Sequence, residues 1–171
     1  VTTAYLIVST VVTPIAGKLS DIFGRRPIYM LSIIFFLIGS VASGFAWSMP
    51  ALAAFRAIQG IGGGGLMSLA FTIIGDMVAP RERAKYQGFF IAVFGSSSVL
   101  GPLVGGFFAG ADQLLWIDGW RWVFLINIPI GAVALYMVWR FLHVPQIKHD
   151  VAIDWWGVVT VIIAVVPLLL V

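Results

Sequence analysis

The sequence runs to 171 residues, of which 61% are hydrophobic and only 10% charged. A soluble domain carries about 25% charged residues, so most of this chain has lipid as its solvent and it reads as all-α, a polytopic membrane helix bundle. The net charge of +3 sits in short segments between apolar runs, which excludes nucleic acid as partner in favour of membrane topology; with no cysteine there is no disulfide or thiol nucleophile.

Spanning helices need about 20 apolar residues. Six runs qualify: Val1 to about Ala16, Ile28 to Ala46, Ala51 to Ile74, Tyr86 to Ala109, Trp120 to Leu142 and Trp155 to Val171. Strands are not expected, because the runs lack the period-2 alternation of a barrel. Val1 falls inside an apolar run without a charged leader, so no signal peptide is read, and both ends are expected to be cut through helices.

The first two runs are separated by a polar loop, residues 17–27, with Lys18, Asp21, Arg25 and Arg26. Gly17 and Gly24 suit close approach and a left-handed turn, and Pro27 suits the first turn of a new helix. Asp21 has Lys18 at i−3 and Arg25 at i+4, either of which can pair with it on a helix. The loops at 75–85 and 140–154 add Arg81, Arg83, Lys85, Arg140 and Lys148, so three loops on one side hold eight of the ten cations. The positive-inside rule places them in the cytoplasm, opposite Asp112 and Asp118. Arg121, flanked by Trp120 and Trp122, belongs to the outer interfacial belt. Asp76, Glu82, Asp150 and Asp154 read as solvated acids beside the inner loops, and His143 and His149 as too exposed for a proton relay.

Arg56 lies inside the third run, where an arginine costs at least about 2.5–3.5 kcal/mol on insertion scales. It should face the bundle interior or a wet cavity, with Gln59 and Gly60 on the same face, unless it snorkels to the nearer interface. Gly60-Ile61-Gly62-Gly63-Gly64-Gly65 matches a nucleotide-loop pattern, but no strand precedes it, and helix packing explains it better. Gly101, Gly105, Gly106 and Gly110 form a second small-residue cluster beside Pro102, which removes a helical hydrogen bond and bends the fourth run. Phe35, Phe71, Phe90 and Phe94 suit lipid, packing or a greasy cavity. No metal-binding pattern, serine elbow or paired intramembrane carboxylates occur, so there is no catalytic residue and no metal site to assign.

In this order the features resemble the N-terminal half of a major facilitator superfamily transporter, of the fourteen-helix drug:proton antiporter branch. Gly17, Leu19, Asp21, Gly24, Arg25 and Arg26 are similar to the superfamily's loop between helices two and three, with Ile22 where a cation is usual. Residues 52–62 resemble its fourth-helix motif around Arg56. Gly88, Ser97, Gly101, Pro102 and Gly105 resemble the antiporter motif of helix five, with Ser97 in place of a glycine. Residues 120–131 resemble the start of helix six, and residues 154–157 the start of helix seven.

The resemblance implies helices two to six over residues 1–142, a cytoplasmic loop at 143–154 and the start of helix seven at 155–171. It implies a conformational latch at Gly17, Asp21, Gly24, Arg25 and Arg26, and proton coupling through Arg56, Gln59 and Gly60. Gly101-Pro102 is implied as the bend of a gate that blocks proton leak. The parent would export drug-like or amphipathic compounds in exchange for protons. It would use no cofactor beyond the proton gradient, sit in a bacterial inner membrane, and require a first helix and a C-terminal half. The alternatives are a proton-coupled symporter of the same superfamily and a non-transporting membrane protein.

Overall fold

The computed structural model describes residues 1–111, 113–114, 116–144 and 155–170. Helix α1 covers Thr2–Phe23, α2 Arg25–Gly44, α3 Met49–Met77 and α4 Arg83–Gly110. After a two-residue pair of strands, β1 Gln113–Leu114 and β2 Ile117–Asp118, come α5 Gly119–Leu125, α6 Asn127–Phe141 and α7 Trp155–Leu170. Among the described residues five spans are long and apolar enough to cross a membrane, with α5 and α6 together making the fifth. The chain is an all-α membrane bundle, as expected, apart from the tiny strand pair, which the apolar runs gave no sign of.

The polar stretch at 17–27 is not a loop. Its residues continue α1 to Phe23 and begin α2 at Arg25, and only Gly24 departs from helix, with φ 98° and ψ 151°. Hydropathy marks where lipid ends, but the helix runs on until a residue breaks it. Gly24 alone does so, in a conformation that a Cβ disfavours. Gly17 is helical rather than left-handed, and Pro27 does lie in the first turn of α2.

Helix α3 starts where local chemistry favours it. The Ser48 side chain accepts a hydrogen bond from the Ala51 amide at 3.3 Å, and Pro50 occupies the first turn. The fifth apolar run divides at Ile126 into α5 and α6. Pro129 offers no N–H to the carbonyl of Leu125, which weakens the ladder at this point.

The core is the glycine run of α3. A Cβ on Gly60 would meet the Tyr5 carbonyl oxygen of α1 at 2.7 Å, and one on Gly64 would run into Ser9. On the other side, Cβ atoms on Gly62 and Gly65 would collide with Ser32 of α2, and Gly39 of α2 lies directly against the Gln59 backbone. The run therefore packs α1 on one flank and α2 on the other, at backbone distance.

The second cluster behaves differently. Gly88, Gly101, Gly105, Gly106 and Gly110 have no atom of the described residues near enough to touch an added Cβ. Helix α4 continues unbroken through Pro102 and has no buried residue. It leans on α5 and only grazes α3, where Phe71 and Phe90 stack with centroids 4.9 Å apart. The expectation that these glycines draw helices together is not met here, because no described element covers that face.

Candidate functional site

Two polar clusters lie at different depths of the bundle. The first is at the end where α1 and α3 finish and α2 begins. Asp21 and Arg25 sit one helical turn apart in numbering, and Gly24 between them lets two helices present them to each other. Arg25 Nη1 is 2.5 Å from Asp21 Oδ1, and Arg25 Nε donates to Asp76 Oδ2 at 2.7 Å. Arg25 Nη1 also donates to Ser20 Oγ at 2.5 Å, while the Ser20 hydroxyl donates to the Gly17 carbonyl at 2.6 Å. One guanidinium thus joins the ends of α1, α2 and α3.

Asp76 is solvent-exposed, as expected, and is also paired with Arg25. It lies in the last turn of α3, where the helix dipole disfavours a carboxylate. Arg25, in the first turn of α2, is a cation at the equally unfavourable opposite pole. Their pairing offsets part of both penalties.

Arg26 takes no part in that cluster. Its Nη2 donates to the Trp139 carbonyl at 2.5 Å, among the unpaired carbonyls at the end of α6. Arg83 does the same for α3, donating to the carbonyls of Gly75 at 2.5 Å and Val78 at 3.1 Å. At the far end Arg121 donates to the Gly44 carbonyl at 3.1 Å, closing α2, and pairs with Asp118 at 3.1 Å. A cleft of about 260 Å³ opens beside it, lined by Trp47, Ser48, Met49, Leu52 and Trp120.

The second cluster surrounds Arg56, whose side chain turns inward rather than toward an interface. Its Nη1 donates to Gln59 Oε1 at 2.7 Å. Its Cζ lies 4.5 Å from the Tyr5 ring centroid and 5.6 Å from that of Phe124, cation–π contacts that offset part of the cost of a desolvated guanidinium. Gln59 is only 2% exposed and donates through Nε2 to Ser40 Oγ at 3.2 Å. Asn127 Nδ2 donates to the same oxygen at 3.0 Å, and Ser40 donates to the Phe124 carbonyl at 2.8 Å.

Of the expected coupling residues, Arg56 and Gln59 meet, while Gly60 serves the seam with α1. Tyr5, Ser40 and Asn127 had no assigned role. A serine in an apolar helix is a weak signal by itself, and its partners lie 19 and 87 positions away. The helix-five set is spread along α4, and Ser97 is exposed. Asp112, Lys148, His149, Asp150 and Asp154 lie outside the described residues, as does most of the loop at 143–154. Among the described residues no group of His, Asp or Glu gathers as a metal site.

A bundle of spanning helices with a half-buried arginine hydrogen-bonded to a buried glutamine on a glycine-lined helix defines a polytopic membrane protein with a polar interior. The family model described as Major Facilitator Superfamily matches residues 1–170, and the chain belongs to that family of transporters. It is 45% identical over 99% of its length to Multidrug resistance protein 3 of Bacillus subtilis (strain 168), covering 32% of that protein. It is 41% identical over 90% of its length to Efflux pump dotC of Dothistroma septosporum (strain NZE10 / CBS 128990), covering 26%. The inward-open structure of the xylose transporter XylE from E. coli superposes with a TM-score of 0.73 over 98% of this chain and 43% of that one. At 20% identity this likeness is one of fold. The chain therefore spans about a third or less of the length of these curated relatives. The expectation of a transporter rather than an enzyme stands on the family membership.

Proposed function

We propose that the chain is one wall of a secondary transporter that exports drug-like or amphipathic organic compounds in exchange for protons. The observation that carries this reading is the likeness to a multidrug resistance protein along nearly the whole chain. The geometry is consistent with it. Arg56 is a cation held in the bundle interior, as expected of a group whose neighbours change charge during transport. Arg25 ties three helices together at the end read as cytoplasmic, the place for a latch between states.

In this reading Asp21 and Arg25, with Gly17 and Gly24 beside them, form the chain's side of that latch, while Arg26 holds the end of α6. Arg56 and Gln59 couple export to protons, and Gly101-Pro102 seals against leak. The rest of the transporter supplies the opposite wall, with substrate held between the two. The proton gradient is the only energy source required, and a fourteen-helix transporter in a bacterial inner membrane is the setting we favour. Everted vesicles containing the full-length protein test this. Energised vesicles should accumulate ethidium, and a protonophore should abolish the accumulation. Accumulation that survives the protonophore, or none at all, refutes it. Arg56→Ala should flatten the pH dependence of transport; an unchanged profile removes Arg56 from proton coupling.

A further inference from the structure

We infer that Ser40 and Asn127 fix the orientation of the Gln59 amide and, through it, the position of the Arg56 guanidinium. The argument is one of hydrogen-bond direction. A serine hydroxyl has one proton and two acceptor sites. Ser40 is fully buried and gives its proton to the Phe124 carbonyl at 2.8 Å. Its oxygen is then available to side-chain neighbours only as an acceptor, and two amide nitrogens use it: Asn127 Nδ2 at 3.0 Å and Gln59 Nε2 at 3.2 Å.

Gln59 can answer that oxygen only with its nitrogen. Its carbonyl oxygen is thereby directed to Arg56 Nη1, at 2.7 Å. An arginine has donors and no acceptor. A flipped Gln59 would set nitrogen against guanidinium and oxygen against Ser40 Oγ, losing both bonds in a site that is 2% exposed. Leaving buried polar groups unpaired is costly, so a single orientation dominates.

The chain of donors runs from α6 and α3 into Ser40 of α2, and from Ser40 into the last turn of α5. Phe124 enters twice, through its carbonyl at Ser40 and its ring 5.6 Å from Arg56 Cζ. Arg56 is thus held from the α5–α6 junction, two helices away from its own backbone. Ser40 and Asn127 are positioning residues for the arginine, and this gives Asn127 a role within the tryptophan-rich segment 120–131. The consequence for transport rests on the proposed coupling role of Arg56; the geometry does not.

Two measurements on the full-length protein decide it. In glutamine-¹⁵N-labelled protein in nanodiscs, the Gln59 side-chain amide signal is identified by its loss in Gln59→Met. It should move in Ser40→Ala, a change that keeps helix and shape and removes one oxygen. A signal that stays in place in Ser40→Ala overturns the inference. In ethidium efflux, Ser40→Ala should lower the maximal rate at least about fivefold, and should add nothing when Gln59 is already Met. Losses that multiply in Ser40→Ala/Gln59→Met show that Ser40 acts elsewhere, and sink the inference. If Arg56→Ala leaves the pH profile unchanged, proton coupling through Arg56 fails, while the Gln59 signal still decides the positioning.

Discussion

Arg25 and Asp76 meet at 2.7 Å across 51 positions of sequence, and the same guanidinium holds Asp21 at 2.5 Å. The arginine read as part of a latch toward other segments is therefore already engaged twice inside the chain. Any partner beyond it must compete with, or add to, two carboxylates.

Asp21→Asn and Asp76→Asn separate those two engagements. The three side chains are between 17% and 42% exposed, so each pair contributes about 1 kcal/mol or less to stability. Both variants should insert at normal levels and melt within a few degrees of the parent. Asp21→Asn should nevertheless cripple ethidium efflux by the full-length protein, and Asp76→Asn should lower it less. Normal efflux by Asp21→Asn ends the latch reading.

The two glycine clusters predict opposite responses to one added methyl group. Gly60→Ala puts a Cβ 2.7 Å from the Tyr5 carbonyl oxygen. Helices α1 and α3 must separate, at a cost of about 1–3 kcal/mol, as in an overpacked core. Gly105→Ala meets nothing among the described residues. It should be neutral or raise the stability of α4 by up to about 1 kcal/mol through helix propensity. Thermal melting of the two purified variants checks the contrast, and equal losses would contradict it.

Arg83 closes the end of α3 by donating to Gly75 and Val78. Arg83→Ala leaves those carbonyls to water and removes a favourable cation near the helix terminus, worth about 0.3–1 kcal/mol. Hydrogen exchange should accelerate locally, in residues 74–78, and remain unchanged in α1. Arg83→Lys should restore part of the protection, because an ammonium supplies charge without the two-pronged fork.

Pro102 lies within an uninterrupted helix. Pro102→Leu restores a backbone donor in the segment that we read as a seal. Passive acidification of de-energised vesicles should then be faster. Unaltered leak with impaired efflux would assign Pro102 to movement rather than sealing.

Much of this was legible in the sequence. The helices follow from the lengths of the apolar runs, and the interior placement of Arg56 follows from the cost of leaving it in lipid. The seam of Gly60, Gly62, Gly64 and Gly65 follows from small-residue spacing. The polar stretch at 17–27 was misread as a loop because hydropathy reports the solvent, not the backbone, and only Gly24 changes the backbone. The pairing of Asp76 is not legible in the sequence, because hydropathy ends the third run at Ile74 and only the structure extends α3 to Met77 and brings Arg25 of α2 against it. The division at Ile126 was available in Pro129. The direction of the bonds at Ser40 was not available, because a hydroxyl's role is set by neighbours that only the tertiary structure brings together.

The glycine seam also bears on where motion is possible. Backbones in direct contact along several turns have no compressible side-chain layer between them, so α1, α2 and α3 cannot slide or tilt against each other without losing contact altogether. They form a stiff slab. Any large displacement must therefore carry α1, α2 and α3 together, and the distance from Gln59 to Arg56 stays constant as the slab turns.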